Sequence, residues 1–154
     1  MMCHPGGKSG LYRLRDLNND DKFGKVDFIL PLPDHTGEHG PHSIIKTHDG
    51  KDLIVVAGNF TGLPDNCTSK GVKNWKEDTL LKHLPDPSGF SADKRAPGGF
   101  VLKLNPDGGG REVIATGLRN TYDIAMDLNG EIFGYDADME YYADSLGAAV
   151  NTVQ

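Results

Sequence analysis

Two stretches of this chain carry the same pattern at a fixed distance. HSIIKTHDGKDLIVVAGN and TYDIAMDLNGEIFGYDAD superpose at an offset of 80 residues, which lays Ile44 on Ile124 and Gly50 on Gly130. Self-similarity at a fixed spacing constrains a fold more than composition does, because each copy is one unit that buries its apolar face on a neighbour. Before each copy stands another pair of short apolar runs: GLYRLRD with KVDFIL, and GGFVLKLNPD with REVIATGL. The order is therefore strand pair after strand pair, with alternating character.

The runs at 11–15, 26–30, 43–47, 53–57, 100–104, 112–115, 123–127 and 132–135 read as strands. The run 53–57 (LIVVA) is continuously apolar, as expected of a strand covered on both faces. Asp49-Gly50 and Asn129-Gly130 between such runs are hairpin-turn chemistry. Only 79–83 (TLLKH) suggests a short helix. This pattern predicts an all-β fold in a single domain spanning 1–154. We expect a β-propeller fragment of about two four-stranded antiparallel blades: the outer half of one blade, a whole blade, and the inner half of the next. Strands 43–47 and 123–127 are then innermost, with the sheets side by side and not facing. A two-sheet sandwich is the alternative, because short strands with regular turns serve both folds. The segment 60–97 breaks the rhythm and reads as an insertion lying over one end of the blades. A propeller closes only with at least about four blades, so the chain is expected to be a piece of a longer protein.

The net charge of −6 argues against nucleic acid as a partner. After Arg119 no Lys or Arg follows, while acidic residues recur, which suits either a solvated rim or a cation site. No stretch is long and apolar enough to cross a membrane, and no leader pattern opens the chain. Cys3 and Cys67 form neither a CxxC pair nor a haem-attachment motif, and a disulfide between them is left open. Asn59-Phe60-Thr61 and Asn66-Cys67-Thr68 fit the glycosylation sequon, and little rests on them.

Three constellations could carry chemistry. The first runs from Asp34 to His42 and holds His35, His39 and His42 with Asp34 and Glu38. Imidazole and carboxylate suit a transition metal, imidazole also suits a general base, and a polar surface loop is the third reading. The second is Gly117-Leu118-Arg119-Asn120, whose guanidinium fork matches carboxylates, although an Arg-Asn pair is commonly structural. The repeat links the two, since His39 precedes Arg119 by the same 80 residues. Equivalent loops on neighbouring blades open at the same end, so both side chains are expected there, with Glu38 and Asn120 flanking. Asp136 and Asp138 end the following strand and could reach the same funnel. In a fragment without its neighbouring blades the funnel is expected to be only partly walled, with His39 more exposed than in the parent protein. The third is DLNNDDKFGKVD, in which Asp16, Asn18, Asp20 and Asp27 occupy positions that resemble a calcium loop. Asp21 stands where that loop needs glycine and no helices flank it, so an Asx-rich hairpin turn is the alternative.

EHGPHSIIKTHDGKDLIVVAGN and GLRNTYDIAMDLNGEIFGYDADME resemble segments of the soluble quinoprotein glucose, aldose and sorbosone dehydrogenases. The likeness is nearest to large bacterial proteins described as membrane-bound dehydrogenases, in which this propeller is joined to helical repeats and a c-type haem domain. It covers most of residues 9–140 outside the insertion. It implies a dehydrogenase that oxidises a sugar or other alcohol with pyrroloquinoline quinone, in the periplasm or another extracytoplasmic space, with a cytochrome as possible electron acceptor. It puts the proton-accepting histidine at His39 and quinone contacts at Arg119 and Asn120, with Glu38 beside them. Calcium near the quinone would go with it, and c-type haem only in a domain outside this chain. The chain also departs from the pattern. Thr121 and Asp123 replace the family's Pro and Gly after Arg-Asn, Asp136-Ala137-Asp138 replaces a Gly-Pro loop near calcium, and the tail 145–154 matches nothing in it. A cofactor-free propeller binding carbohydrate or protein is the competing reading.

Overall fold

The computed structural model describes residues 8–33, 38–69 and 97–137. These are all-β, and the strands fall where the apolar runs do. They are β1 (Gly10–Arg15), β2 (Lys25–Pro31), β3 (Pro41–Lys46), β4 (Leu53–Ala57), β5 (Thr68–Ser69), β6 (Gly99–Leu104), β7 (Glu112–Leu118), β8 (Thr121–Met126) and β9 (Ile132–Asp136). They form three sheets, ordered β1-β2, β3-β4-β6-β7-β5 and β8-β9. The expected half, whole and half grouping of strands is thus the observed pairing. Two four-stranded sheets are not: there is one four-stranded antiparallel meander between two hairpins. Among the described residues no sheet closes on itself and no helix is long and apolar enough to cross a membrane.

The expectation of sheets that do not face one another is corrected. The middle sheet is covered on both faces because β4 and β6 are apolar on both. Val55, Ala57, Phe100, Leu102 and Leu104 pack toward Leu11, Leu30 and Leu32 of the first hairpin. Ile54, Val56 and Val101 pack toward Ile124, with Ile132 of β9 alongside. Phe100, Leu102, Val55 and Val56 are fully buried. Each such side chain contributes roughly 1.5–3 kcal/mol, which makes this middle layer the stable centre of the molecule. The sheets are also not wholly antiparallel. Thr68 and Ser69 add to β7 in parallel, opposite Glu112 and Val113. Residues 70–96 of the expected insertion lie outside the described residues, and the described part begins at the end of β4, where the N–H groups of Phe60, Thr61 and Gly62 bond the carbonyls of His39, Gly58 and Pro33. That part then runs along the sheet, with Leu63 and Cys67 packed on the apolar face, and finishes as an edge strand. The expected helix at 79–83 lies outside the described residues.

The sequence repeat is also a repeat of register. Pro41 pairs with Ala57 and Ser43 with Val56, leaving His42 as an extra, bulged residue. Thr121 pairs with Asp136 and Asp123 with Tyr135, leaving Tyr122 bulged at the same position. Both hairpins turn through a left-handed glycine, Gly50 at φ 69° and Gly130 at φ 86°. The second turn is one residue shorter, since Thr47 bonds Asp52 where Asp127 bonds Glu131. The other two pairs match as well. Leu11 and Leu30 followed by Tyr12 and Phe28 skip one residue, as do Val101 and Ala115 followed by Leu102 and Val113. Beside each bulge sits a cross-strand ion pair, Arg13 with Asp27 and Lys103 with Glu112. A bulge bends its strand and re-aims side chains, so a bulge kept in register is a shared structural device.

Candidate functional site

The start of β3, the end of β4, the end of β7 and the start of β8 meet at one end of the molecule, and Asn59 is the residue that joins them. Its backbone N–H donates to the Arg119 carbonyl at 2.8 Å. Its side-chain Oδ1 lies 2.7 Å from His39 Nδ1. His39 and Arg119 are therefore at the same end, as the repeat predicts. Gly58 makes the approach feasible. A Cβ there would stand 2.7 Å from the His39 carbonyl oxygen, so only glycine lets β4 end against this loop.

His39 is buried in the structure. It is 3% accessible, its ring centroid is 4.7 Å from that of Phe60, and its carbonyl accepts the Phe60 N–H. Burial pushes its pKa below the ordinary imidazole value. The Asn59 bond opposes this, and the nearby positive charge of Arg119 adds to it. The ring is neutral at pH 7. With Asn59 Oδ1 as acceptor, Nδ1 carries the proton and Nε2 is the basic nitrogen.

Asp136 builds the Arg119–Asn120 loop. Its Oδ2 accepts the Arg119 N–H at 3.0 Å, and its Oδ1 accepts the Asn120 N–H and the Thr121 hydroxyl, each at 2.8 Å. The guanidinium donates from Nη1 to the Ala137 carbonyl at 3.1 Å. Asp136 thus braces the loop from behind instead of facing a funnel. Asp138 lies outside the described residues. Glu38 is exposed next to His39, and its charge favours the protonated imidazole. Asn120 is buried, and its Oδ1 meets His42 Nε2 at 2.7 Å. The other members of the first constellation, Asp34 and His35, lie outside the described residues.

The two bulges bring a pair the sequence reading did not single out. His42 and Tyr122 stack at 4.3 Å with 20° between their planes. Next to them Ser43 donates to Asp123 at 2.6 Å, again across 80 residues. That bond and the backbone N–H of Ile124 hold the Asp123 carboxyl below its usual range. Equivalent positions of β3 and β8 thus meet directly, side chain to side chain. The repeat offset alone would have pointed to His42 and Tyr122, since they stand 80 residues apart as His39 and Arg119 do.

The third constellation divides. Asp16 accepts N–H bonds from Asn18 and Asp21, while Asp20 accepts the Lys22 N–H and the Asn18 side chain. Asn19 and Asp21 have left-handed backbones. This is an Asx-rich turn. Asp27 sits apart on β2, paired with Arg13, Arg15 and Lys25. Among the described residues no three His, Cys, Asp or Glu side chains form a group able to hold a metal ion. Cys67 is a free thiol, half-buried, and burial pushes its pKa up.

In comparisons with known proteins, no family model matches the chain, and no curated protein and no solved structure matches it.

Proposed function

We propose that this chain is part of a β-propeller of the quinoprotein dehydrogenase type, and that its His39–Arg119 end serves the oxidation of a sugar or other alcohol. One observation carries the reading. Two loops at the same repeat position meet at Asn59, which holds the His39 imidazole by its side chain and the Arg119 carbonyl by its N–H, with the Arg119 charge near enough to lower the imidazole's pKa. Contact between equivalent positions of β3 and β8 supports the rotational arrangement of a propeller. In this reading His39 takes the hydroxyl proton at Nε2, with Asn59 holding the tautomer. The donor set fits an acidic quinone. Arg119 supplies the fork for a carboxylate, and Asn120, its Oδ1 engaged by His42, presents its amide nitrogen. Pyrroloquinoline quinone, when bound, supplies the hydride acceptor. Asp136 does not fit a calcium ligand there, because its oxygens are directed at the loop's own donors. An extracytoplasmic location and a cytochrome acceptor belong to the same proposal.

The test is binding of pyrroloquinoline quinone followed by dye reduction with a panel of aldoses and alcohols. His39→Asn should lower turnover on the order of 100- to 10,000-fold with bound quinone retained. Arg119→Ala should weaken quinone retention instead. The burial of His39 against Phe60 favours a second reading, in which the residue braces the loop of a non-catalytic propeller that binds carbohydrate or protein. Failure of the chain to bind quinone at about 100 µM, far above a working cofactor affinity, selects that reading.

A further inference from the structure

The strand pairs are of two kinds, and among the described residues each of the hairpins β1-β2 and β8-β9 lacks the neighbour that the other could supply. In the middle sheet the inner pair β3-β4 joins the outer pair β6-β7 through β4 and β6, from Leu53 opposite Leu104 to Ala57 opposite Phe100. The hairpin β8-β9 repeats the inner pair and stops at β9. The hairpin β1-β2 repeats the outer pair and begins at β1. Among the described residues neither hairpin has a third strand. Exposed apolar side chains gather on the same hairpins: Phe133 and Tyr135 on β9, Val26 and Phe28 on β2. An open edge flanked by apolar side chains is a template for another strand.

We propose that β9 of one copy pairs antiparallel with β1 of a second copy, so that β8-β9 and β1-β2 complete one four-stranded sheet across the contact. The register is that of β4 with β6, carried over through the shared bulges and turns. It sets Ile132 opposite Leu14, Phe133 opposite Arg13, and Tyr135 opposite Leu11 of the second copy. Two of these pairs are apolar on both sides. In the third a guanidinium lies beside an aromatic ring, a favourable cation–π arrangement. Leu11 already faces the middle sheet of its own copy, so Tyr135 beside it covers the inner part of that sheet, where Ile44 and Leu53 are only partly buried. The contact is head-to-tail, so each copy still offers one edge to the next, and such contacts close into rings when the rotation permits. The pairing does not depend on the dehydrogenase reading. Closure does rest on the propeller arrangement: with two sheets per copy, about two to four copies reach the usual range of blades.

Light scattering of the 154-residue chain at about 100 µM, ample for a specific interface, should give roughly two to four times the monomer mass. A monomer at that concentration overturns the proposal, and is the result expected if further chain supplies these strands. Phe133→Lys with Tyr135→Lys puts charge on β9 alone and should yield monomers with an unchanged far-ultraviolet spectrum. In a background carrying Cys3→Ser and Cys67→Ser, chains with Arg13→Cys and chains with Phe133→Cys should crosslink when mixed and oxidised, but not separately. Crosslinking of Phe133→Cys alone, to the same extent as the mixture, would mean β9 pairs with itself and would equally overturn it.

Discussion

The hairpins β3-β4 and β8-β9 share a bulge, a strand register and a left-handed glycine in the turn, yet they end differently. In the first, β4 finishes in Gly58-Asn59 and the His39 backbone closes against it, with Gly58 N–H to Gly40 O at 2.8 Å. In the second, β9 finishes in Asp136-Ala137, and the equivalent bond from Ala137 to Asn120 is 3.4 Å. A side chain at Ala137 holds the loop off, and Asp136 makes up the difference through three donors. The same backbone frame thus carries a buried neutral imidazole in one copy and a braced guanidinium in the other. Repetition supplies equivalent positions, and the residues at strand ends decide what each position does.

The comparison breaks most sharply in the core. Phe100→Ala, on the strand beside β4, should cost about 3–5 kcal/mol in urea unfolding. Phe133→Ala, at the position of β9 that matches Ile54 in β4, should stay within about 0.5 kcal/mol at concentrations where the chain is monomeric. Equal costs would mean that the second hairpin is as embedded as the first. Next come the two end devices. Asp136→Ala should cost about 2–3 kcal/mol, because it strands the buried Thr121 hydroxyl together with two loop N–H groups. Gly58→Ala should cost about 1–3 kcal/mol by forcing the His39 backbone away. Ala137→Gly at the equivalent position should change little.

A smaller effect separates the hairpins by pH. The folded pKa of His39 lies below its unfolded value of about 6.5, so the unfolded chain binds the proton first as pH falls. Stability conferred by the neutral ring is present above the unfolded pKa and declines below it, by at most about 1.4 kcal/mol per pH unit. Denaturation midpoints at pH 8 and pH 5 should differ in the parent and less so in His39→Phe. No such difference would mean that His39 titrates as if solvated. The smallest expectation concerns the Asx turn. Calorimetry should detect no heat at about millimolar calcium, because Asp27 is held by three cations away from Asp16 and Asp20. Heat at that concentration would restore the calcium-loop reading.

Eight of the nine strands among the described residues were legible in the sequence because their apolar runs and glycine turns are local signals. The ninth, Thr68–Ser69, has no such signal and exists through its pairing with Glu112 and Val113. The shared end of His39 and Arg119 was legible too, since an offset kept over a whole repeat implies equivalent placement. The roles of Asn59 and Asp136 were not. Asn59 reads as part of a sequon and Asp136 as part of an acidic run, and only the meeting of strand ends distant in sequence turns one into a bridge and the other into a clamp. The same holds for the burial of His39. By itself the sequence determined the strands, their repeat and the positions that correspond, because these follow from side-chain periodicity and turn chemistry along the chain. Tertiary structure alone decided that the sheets stack face to face, that His42 meets Tyr122, and that the imidazole is sealed and neutral. Those outcomes depend on which groups exclude water from one another, and that is settled only when residues tens of positions apart come into contact.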